Sequence, residues 1–347
     1  GLGAPFSGAI SDKWGTGRTV FGGGVLYAIG LVVMSQSASM TTMFLGGSLL
    51  VGMGVSACGM PVLLAAAARV AAPERRSMWL GVVTAGGTGG QLLIIPLVQY
   101  WIQGDGWRAA LIALAIAFAV VLPLAACLGF AGQRAYTESG SQTLGQALNE
   151  ARRHSGYWLL ILGFFVCGFQ VQFVGTHLPA FIEDQGLGRE LAATSLMVIA
   201  GFNMLGAWIA GYLGGKWRKK YLLSSMYLLR AVLIAALVSF PITAASVLAF
   251  SAIMGFVWLG TVPLTSGLVM QVFGPRYMAT LFAVVYLSHQ AGNFCGAWMG
   301  GWLFDATGSY IVVWWLAVAL GLLAALVHAP INDKPLRDTD ASAAAAS

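Results

Sequence analysis

Three ionisable side chains, His177, Arg230 and His289, lie inside long apolar stretches of this sequence. Charge is costly in hydrocarbon, so an ionisable residue within a membrane-spanning segment is a functional candidate by default. The acidic residues, in contrast, all fall in polar stretches, at the ends of apolar stretches or in the C-terminal tail. A membrane cavity that holds cations and no carboxylates suits an anionic substrate, which is the chemistry that this sequence predicts.

His289 is the strongest candidate for contact with that substrate. Ser288 and Gln290 flank it and Asn293 follows one helical turn later, so polar groups cluster at this depth. Histidine changes its charge between about pH 5 and pH 8, so His289 could bind an anion and couple its movement to a proton. The alternative is a histidine that is hydrogen-bonded between packed helices.

Four further residues are weaker candidates for the same site. Arg230 could contact substrate or pair with backbone carbonyls and polar neighbours. His177 lies seven residues after Gln170, on the same helix face. It could belong to an outer gate, or it could be a histidine that is hydrogen-bonded at a helix interface. Gln91 and Asn203 are polar residues of two other apolar stretches that could face the cavity.

The composition requires that membrane helices position these residues. Hydrophobic residues make up 58% of the chain and charged residues 9%, against roughly 25% charged residues in soluble domains. Apolar runs of about 20 residues recur, and a helix of that length crosses a bilayer with its backbone groups satisfied. The sequence predicts an all-α integral membrane protein with a half-helix at 1–11 and full helices at 19–37, 42–69, 77–102, 108–130, 157–182, 191–214, 221–240, 244–272, 278–304 and 309–329.

The distribution of basic residues predicts the orientation. Taking the loops alternately, fifteen of the eighteen Lys and Arg residues fall on one side, which the positive-inside rule assigns to the cytoplasm. The predicted domains are an N-terminal helix bundle (1–130), a cytoplasmic linker (131–156), a C-terminal six-helix bundle (157–329) and a cytoplasmic disordered tail (330–347). The net charge of +6 is thus a topological signal, and a nucleic-acid partner is excluded.

An internal repeat divides the chain into two parallel halves. At an offset of 202, Pro61, Val70, Pro73, Gly90 and Gly106 match Pro263, Val272, Pro275, Gly292 and Gly308. At an offset of 203, the stretch from Gly8 to Trp14 matches the stretch from Gly211 to Trp217, with Gly215 in the place of Asp12. Parallel repeats of this kind are typical of transporters built around an axis along the membrane normal.

The stretch Gly8-x3-Asp12-Lys13-x-Gly15-x2-Arg18 resembles the signature loop between helices two and three of the major facilitator superfamily. The resemblance implies two pseudo-symmetric six-helix bundles, with helix 1 and part of helix 2 preceding Gly1. It also implies a gating role for Gly8, Asp12, Lys13 and Arg18, whose acid–base pairs could latch one conformation.

A narrower resemblance is to the bacterial monocarboxylate-transporter and oxalate:formate antiporter neighbourhood. It rests on the Gly-Gly-Thr-Gly-Gly segment at 86–90 and the Thr-Val-Pro-Leu-Thr-Ser segment at 261–266. The position of His289 is similar to that of a cationic lysine in the eleventh helix of the oxalate:formate antiporter.

These observations together predict a secondary active transporter that moves a small organic anion, monocarboxylate-like, by alternating access. A coupled proton or counter-anion, the lipid bilayer and a monomeric state are expected, in a bacterial inner membrane with the linker and C-terminus cytoplasmic. Efflux of hydrophobic or cationic compounds is one alternative, and a non-transporting membrane sensor is another. No cluster of His, Asp or Glu suits a membrane-embedded enzyme, and no metal site or cofactor is predicted from the cysteine spacing.

Overall fold

The computed structural model describes residues 1–132 and 142–336 as a chain of helices. In the first half, apolar runs form most of the elements, and a short 3-10 turn, Pro73–Arg75, precedes the last of them. The elements of this half are α1 (Ala4–Trp14), α2 (Thr16–Ser35), α3 (Met40–Phe44), a π-helical segment (Leu45–Val51), α4 (Gly52–Ala57), α5 (Met60–Val70) and α6 (Arg76–Gly132).

The second half begins with a short helix that the sequence did not predict, α7 (Leu144–Arg153). It lies in the predicted linker, of which residues 133–141 are outside the described part of the chain. The helices that follow are α8 (Ser155–Asp184), α9 (Arg189–Lys216), α10 (Lys219–Ser239), α11 (Ala244–Phe256), α12 (Thr261–Phe273), α13 (Met278–Thr307) and α14 (Ile311–His328).

The all-helical membrane architecture predicted from the sequence is confirmed. Within the described residues, eight helical stretches are long and apolar enough to cross a membrane. The two helices predicted at 77–102 and 108–130 are the two arms of α6, which is interrupted at Gly106. The predicted helix at 278–304 is α13, whose Ser288, His289, Gln290 and Asn293 make it more polar than its neighbours.

The repeat has a structural counterpart in the backbone of both halves. Gly106 has a φ of 81° and Gly308 a φ of 68°, a region that L side chains rarely adopt. The predicted helix at 42–69 is broken between α4 and α5, just before Pro61, and the one at 244–272 is broken between α11 and α12, just before Pro263. At equivalent positions, the two halves thus share a glycine with positive φ and a helix that is interrupted just before a proline.

The chain folds into two compact units. The first comprises residues 1–71, 90–147 and 275–284, and in it α2 packs closely on α4, where the Gly54 backbone touches that of Gly23 and Tyr27. The second comprises residues 72–89, 148–274 and 285 onward, and it holds an extensive apolar core. That core is rich in aromatic side chains, including Phe169, Phe173 and Trp314. The domain boundaries expected from the sequence stay a prediction.

The start of the predicted tail is held to the second unit. Asp333 accepts hydrogen bonds from Arg218 at 3.1 and 2.5 Å, and the backbone N–H of Leu336 donates to the carbonyl of Val272 at 2.9 Å. The hydrogen bond from Arg218 lowers the pKa of the Asp333 carboxyl below its ordinary value. Residues 330–336 are therefore anchored, in contrast to the disorder predicted for 330–347, and the remainder of the tail, 337–347, lies outside the described part.

Candidate gating cluster and substrate site

Asp12, near the end of α1, is the centre of a buried polar cluster in the first unit. One carboxylate oxygen forms an ion pair with Arg69 of α5, and the two side chains are only 1% and 6% exposed. The other oxygen accepts from the backbone N–H of Thr280 at 2.8 Å and from its hydroxyl at 2.6 Å. Thr280 is the third residue of α13, so Asp12 satisfies an N–H that has no partner within the helix. The negative charge is also favourable at a helix N-terminus.

Two glycines allow this cluster to form. A Cβ at Gly8 would lie 2.6 Å from the carbonyl oxygen of Ala279, so only glycine lets α1 approach the start of α13 this closely. Gly15 has a φ of 94°, which permits the sharp turn between α1 and α2. The exposed side chains of Lys13 and Arg18 lie outside the buried cluster, and Lys13 lies over the ring of Trp14.

Arg69 and Thr280, the partners of Asp12, are not predicted by the sequence. They lie 57 and 268 residues from Asp12 in the chain. The available signal was the position of Arg69, a basic residue at the end of a helix on the same predicted side as Asp12.

The second half has no equivalent acid. Gly211, the repeat counterpart of Gly8, packs on the backbone of Gly81 and Ser77 near the start of α6, as Gly8 packs near the start of α13. Gly215 stands where the repeat would place Asp12, and within the described residues the buried hydroxyl of Ser77 has no hydrogen-bond partner. Within the described residues, the Asp12 carboxylate therefore has no counterpart at the repeat-related position.

His289 is buried in the middle of α13, in the second unit. Its ring stacks on Tyr286 at 5.4 Å and contacts Phe164 of α8 at 4.8 Å. Its Nδ1 lies 3.3 Å from the Oε1 of Gln290. Its Nε2 is a buried nitrogen without a hydrogen-bond partner among the described residues. The aromatic contacts fix the ring, and the buried thiol of Cys167 on α8 is a further polar neighbour of the ring.

Asn293 lies one turn beyond His289 and shares its amide partner. Its Nδ2 donates to the Oε1 of Gln290 at 3.0 Å, while its Oδ1 is buried and unpartnered within the described part of the chain. His289, Gln290 and Asn293 thus form one hydrogen-bonded group on α13, and their contact with substrate stays a prediction.

The backbone of α13 is held close to α8 by glycines. A Cβ at Gly292 would lie 2.0 Å from the carbonyl oxygen of Phe165, and one at Gly296 would lie 2.3 Å from that of Phe169. A Cβ on Gly168 of α8 would in turn meet the carbonyl oxygen of His289 at 1.9 Å. Close packing of α13 on α8 therefore fixes the position of the His289 group relative to α8.

Arg230 belongs to α10, and its fully buried side chain reaches the break between α11 and α12. Its guanidinium donates to the carbonyl of Val257 at 3.0 and 2.5 Å and to the carbonyl of Trp258. Its Nη1 is 3.6 Å from the sulfur of Cys167, and its carbon is 5.3 Å from the ring of Tyr227. These carbonyls follow the last turn of α11, where they lack intrahelical partners and where a cation is electrostatically favoured.

Asn203, on α9, hydrogen-bonds to the backbone at the same break between α11 and α12. Its Oδ1 accepts from the backbone N–H of Leu259 at 2.9 Å, and its Nδ2 donates to the hydroxyl of Thr88 at 2.8 Å. Arg230 and Asn203 together therefore satisfy both kinds of backbone group that the interruption at 257–260 exposes. For both residues, contact with substrate stays a prediction.

The two remaining candidates have different surroundings. The Nε2 of His177 lies 2.9 Å from the carbonyl oxygen of Ala297, and its ring packs between Phe173 and Tyr310. This geometry matches the second interpretation of His177, a histidine that is hydrogen-bonded between packed helices. Gln91 is exposed on α6.

The profile of the Major Facilitator Superfamily matches residues 1–293. The chain belongs to this superfamily. The signature-loop resemblance of residues 8–18 is thereby confirmed, and this major facilitator protein is a membrane transporter whose fold supports secondary transport.

Two curated relatives of this chain are named more specifically, as monocarboxylate transporters. Monocarboxylate transporter 13 of Rattus norvegicus is 27% identical over 338 residues, which cover 94% of this chain and 77% of that protein. Monocarboxylate transporter 11 of Mus musculus is 32% identical over 207 residues, which cover 57% of this chain and 44% of that protein. The predicted similarity to monocarboxylate transporters is confirmed at this level.

A solved structure shows the same fold. A variant of the E. coli fucose:proton symporter FucP aligns with a TM-score of 0.74 over 94% of this chain and 86% of that chain, with 16% sequence identity. At this identity the likeness concerns the fold alone.

Proposed function

We propose that this major facilitator protein moves a small organic anion, of the monocarboxylate type, by alternating access. The observation that carries the proposal is the buried Nε2 of His289 in the middle of α13, which lacks a strong hydrogen-bond partner among the described residues and whose ring lies near the weakly hydrogen-bonding thiol of Cys167. Buried polar atoms in proteins are nearly always hydrogen-bonded, so one that is not is a candidate for a ligand. The names of the curated relatives support the same substrate class.

The hydrogen bonds around His289 favour a proton-coupled contact. The Oε1 of Gln290 can only accept, so the Nδ1 of His289 carries the hydrogen in their 3.3 Å contact. The donor group of Asn293 on the same oxygen supports this assignment of the amide. The Nε2 of the neutral ring is then an acceptor. Protonation there makes a cationic N–H that can donate to a carboxylate, so proton and anion would occupy the site together.

The second element of the proposed mechanism is the gating cluster, which is formed by Asp12, Arg69 and Thr280. Asp12 connects α1, from the first sequence half, with Arg69 and with the start of α13, from the second half. Alternating access requires one half to move against the other. We infer that these bonds form in one of the alternating conformations and break in the other, so they control the rate of exchange rather than the affinity for substrate.

Replacement of His289 by alanine tests the anion contact. Loss of a hydrogen bond to a charged group is expected to weaken binding of pyruvate by about 1–3 kcal/mol, or about 5- to 150-fold in Kd. The protonated ring is the proposed binding form, so the wild-type affinity is expected to be higher at low pH than at high pH, and the variant is expected to lose this dependence. Isothermal titration calorimetry at a low and a high pH measures both effects.

Two further variants sharpen that experiment. His289→Lys keeps a cation and is expected to bind pyruvate without the pH dependence. His177→Ala serves as the matched histidine control and is expected to keep the pH profile, because its Nε2 already contacts the Ala297 carbonyl. An unchanged affinity and pH profile in His289→Ala would remove the basis of the anion proposal.

A further inference from the structure

The second unit repeats part of the gating cluster of the first unit, without its acid. At the offset of 203, Gly215 stands in the place of Asp12, and at the offset of 202, Gln271 stands in the place of Arg69. The Oε1 of Gln271 accepts a hydrogen bond from the Nζ of Lys219 at 3.0 Å. The repeat therefore keeps a cation, held by the counterpart of Arg69, and lacks the carboxylate that would balance it.

The side chain that residue 215 lacks would point at the start of α6. A Cβ at Gly215 would lie 3.8 Å from the Cβ of Ser77, the second residue of α6, and 4.0 Å from the carbonyl oxygen of Glu74. Both are ordinary van der Waals distances, so a side chain has room here. Gly215 is exposed, so this space can be reached from solvent.

Ser77 offers a buried hydroxyl beside this space. Its side chain is 6% exposed, and its Oγ has no hydrogen-bond partner among the described residues. The Oγ faces the last turn of α9, where it lies 2.6 Å from the position of a Cβ at Gly214. A buried hydroxyl without a partner is rare, and its hydrogen can rotate to suit an acceptor.

The start of α6 adds further donors and a favourable dipole. Ser77 belongs to the first turn of this helix, where backbone N–H groups have no partner within the helix. Negative charge is favourable at such a position. In the first unit, the Asp12 carboxylate occupies the corresponding place at the start of α13, where it accepts from the N–H and hydroxyl of Thr280.

Two lysines bring positive charge to the same space. Lys216 follows Gly215 directly at the end of α9. Lys219 approaches from the start of α10, and its Cγ lies 3.8 Å from the same Cβ position at Gly214 that the Oγ of Ser77 meets. Lys219 has three donor hydrogens, of which Gln271 uses one.

Two acidic residues lie on neighbouring segments. Glu74 precedes α6 and its side chain is exposed. Asp333 interacts electrostatically with Lys219, but its carboxylate accepts hydrogen bonds from Arg218 at 3.1 and 2.5 Å. The two lysines therefore outweigh Glu74, and the space beside Ser77 favours an anion.

We propose that this space binds a small carboxylate anion, which takes the place that the Asp12 side chain has in the first unit. The part of an aspartate that a glycine lacks is an acetate group, so acetate has the matching size. The Ser77 hydroxyl donates to the carboxylate, and Lys219 balances its charge.

The position of this anion would give it an effect on gating. It would connect α6, from the first sequence half, with the end of α9 and the start of α10, from the second half. Asp12 makes the corresponding connection in the first unit with a group that belongs to the chain. In the second unit the connection would depend on a dissociable ligand, so the transport rate would respond to small carboxylates in solution. None of these residues belongs to the His289 group, and the inference does not depend on the transported substrate.

The test is the thermal midpoint of the purified transporter, followed by tryptophan fluorescence, as sodium acetate replaces sodium chloride at constant ionic strength and pH. The midpoint of the wild type is expected to rise saturably with acetate. Ser77→Ala is expected to weaken the apparent affinity for acetate at least about tenfold, because it removes a hydrogen bond to a charged group. Gly215→Asp places a carboxylate in the space and is expected to raise the midpoint without acetate and to abolish the response to acetate.

The matched control is Gly145→Asp, which adds an acid at an exposed glycine of α7 whose Cβ would meet no atom within 4 Å. It is expected to respond to acetate as the wild type does. A wild type that responds equally to acetate and chloride, or a Ser77→Ala variant with wild-type affinity, would overturn the proposal.

The variant His289→Ala separates this site from the proposed substrate site. It is expected to keep the wild-type response to acetate. If the response is lost in His289→Ala and kept in Gly215→Asp, acetate binds at the substrate site. That result would overturn the present inference and leave the proposed function intact.

Discussion

Replacing Arg230 with methionine is expected to prevent the protein from accumulating in folded form. The guanidinium is the hydrogen-bond donor to the buried carbonyl of Val257 and to the partly buried carbonyl of Trp258, at the break between α11 and α12. A buried acceptor left without a partner costs about 1–3 kcal/mol, and methionine leaves the Val257 carbonyl in that state and removes the donor to Trp258 as well. Proteins are stable by only about 5–15 kcal/mol, so this loss is a large share of the total.

The measurement is the yield and thermal stability of the purified variant, followed by fluorescence-detected size-exclusion chromatography. Arg230→Lys keeps a cation that can reach one carbonyl and is expected to recover part of the stability. Arg152→Met is the control for loss of an exposed arginine and should behave as the wild type does. A variant Arg230→Met that folds with wild-type stability but no longer binds pyruvate would assign Arg230 to the substrate site instead.

Asp12→Asn is expected to lower the transport rate by at least an order of magnitude while the affinity for substrate is kept. The carboxylate makes three charge-assisted contacts, with Arg69 and with the N–H and hydroxyl of Thr280. Hydrogen bonds to charged groups contribute about 1.5–3 kcal/mol each, and 1.4 kcal/mol is tenfold in an equilibrium constant. The conformation that holds this cluster therefore loses population, and a cycle that must pass through it slows.

Initial rates and Kd values of the purified protein, compared in the same preparation, separate these two effects. Glu74→Gln removes an exposed acid near the start of α6 and should change neither quantity. A second variant, Gly8→Ala, places a methyl group against the backbone of Ala279 and is expected to slow transport by the same route. An unchanged rate in Asp12→Asn would mean that the loop is a topological signal only.

The helices were predictable because each one is a long apolar run with polar ends. What the sequence did not predict are the interruptions within runs, between α4 and α5 and between α11 and α12. Nothing polar marks the break at 257–260, since its backbone groups are satisfied by Arg230 and Asn203 from other helices. The helix α7 was not predicted because it is polar and charged, which is also typical of a loop between membrane helices. Its last turn carries Arg152 and Arg153.

The candidate site was predictable only in part, for a related reason. A polar group on a single helix, such as His289 with Asn293, follows from helical spacing alone. The partners of Asp12 do not, because Arg69 and Thr280 are brought to it by the packing of three helices. The sequence raised carbonyl pairing as one interpretation of Arg230, but which carbonyls it binds depends on where a neighbouring helix is broken.

The most direct measurement is uptake of radiolabelled pyruvate into proteoliposomes that contain the purified transporter, with an inward proton gradient. The proposed function predicts uptake above that of empty liposomes, stimulated by the gradient, saturable, and reduced in His289→Ala. Extrusion of a cationic dye by the same proteoliposomes, with no uptake of pyruvate or other monocarboxylates, would contradict the account and favour efflux of cationic compounds.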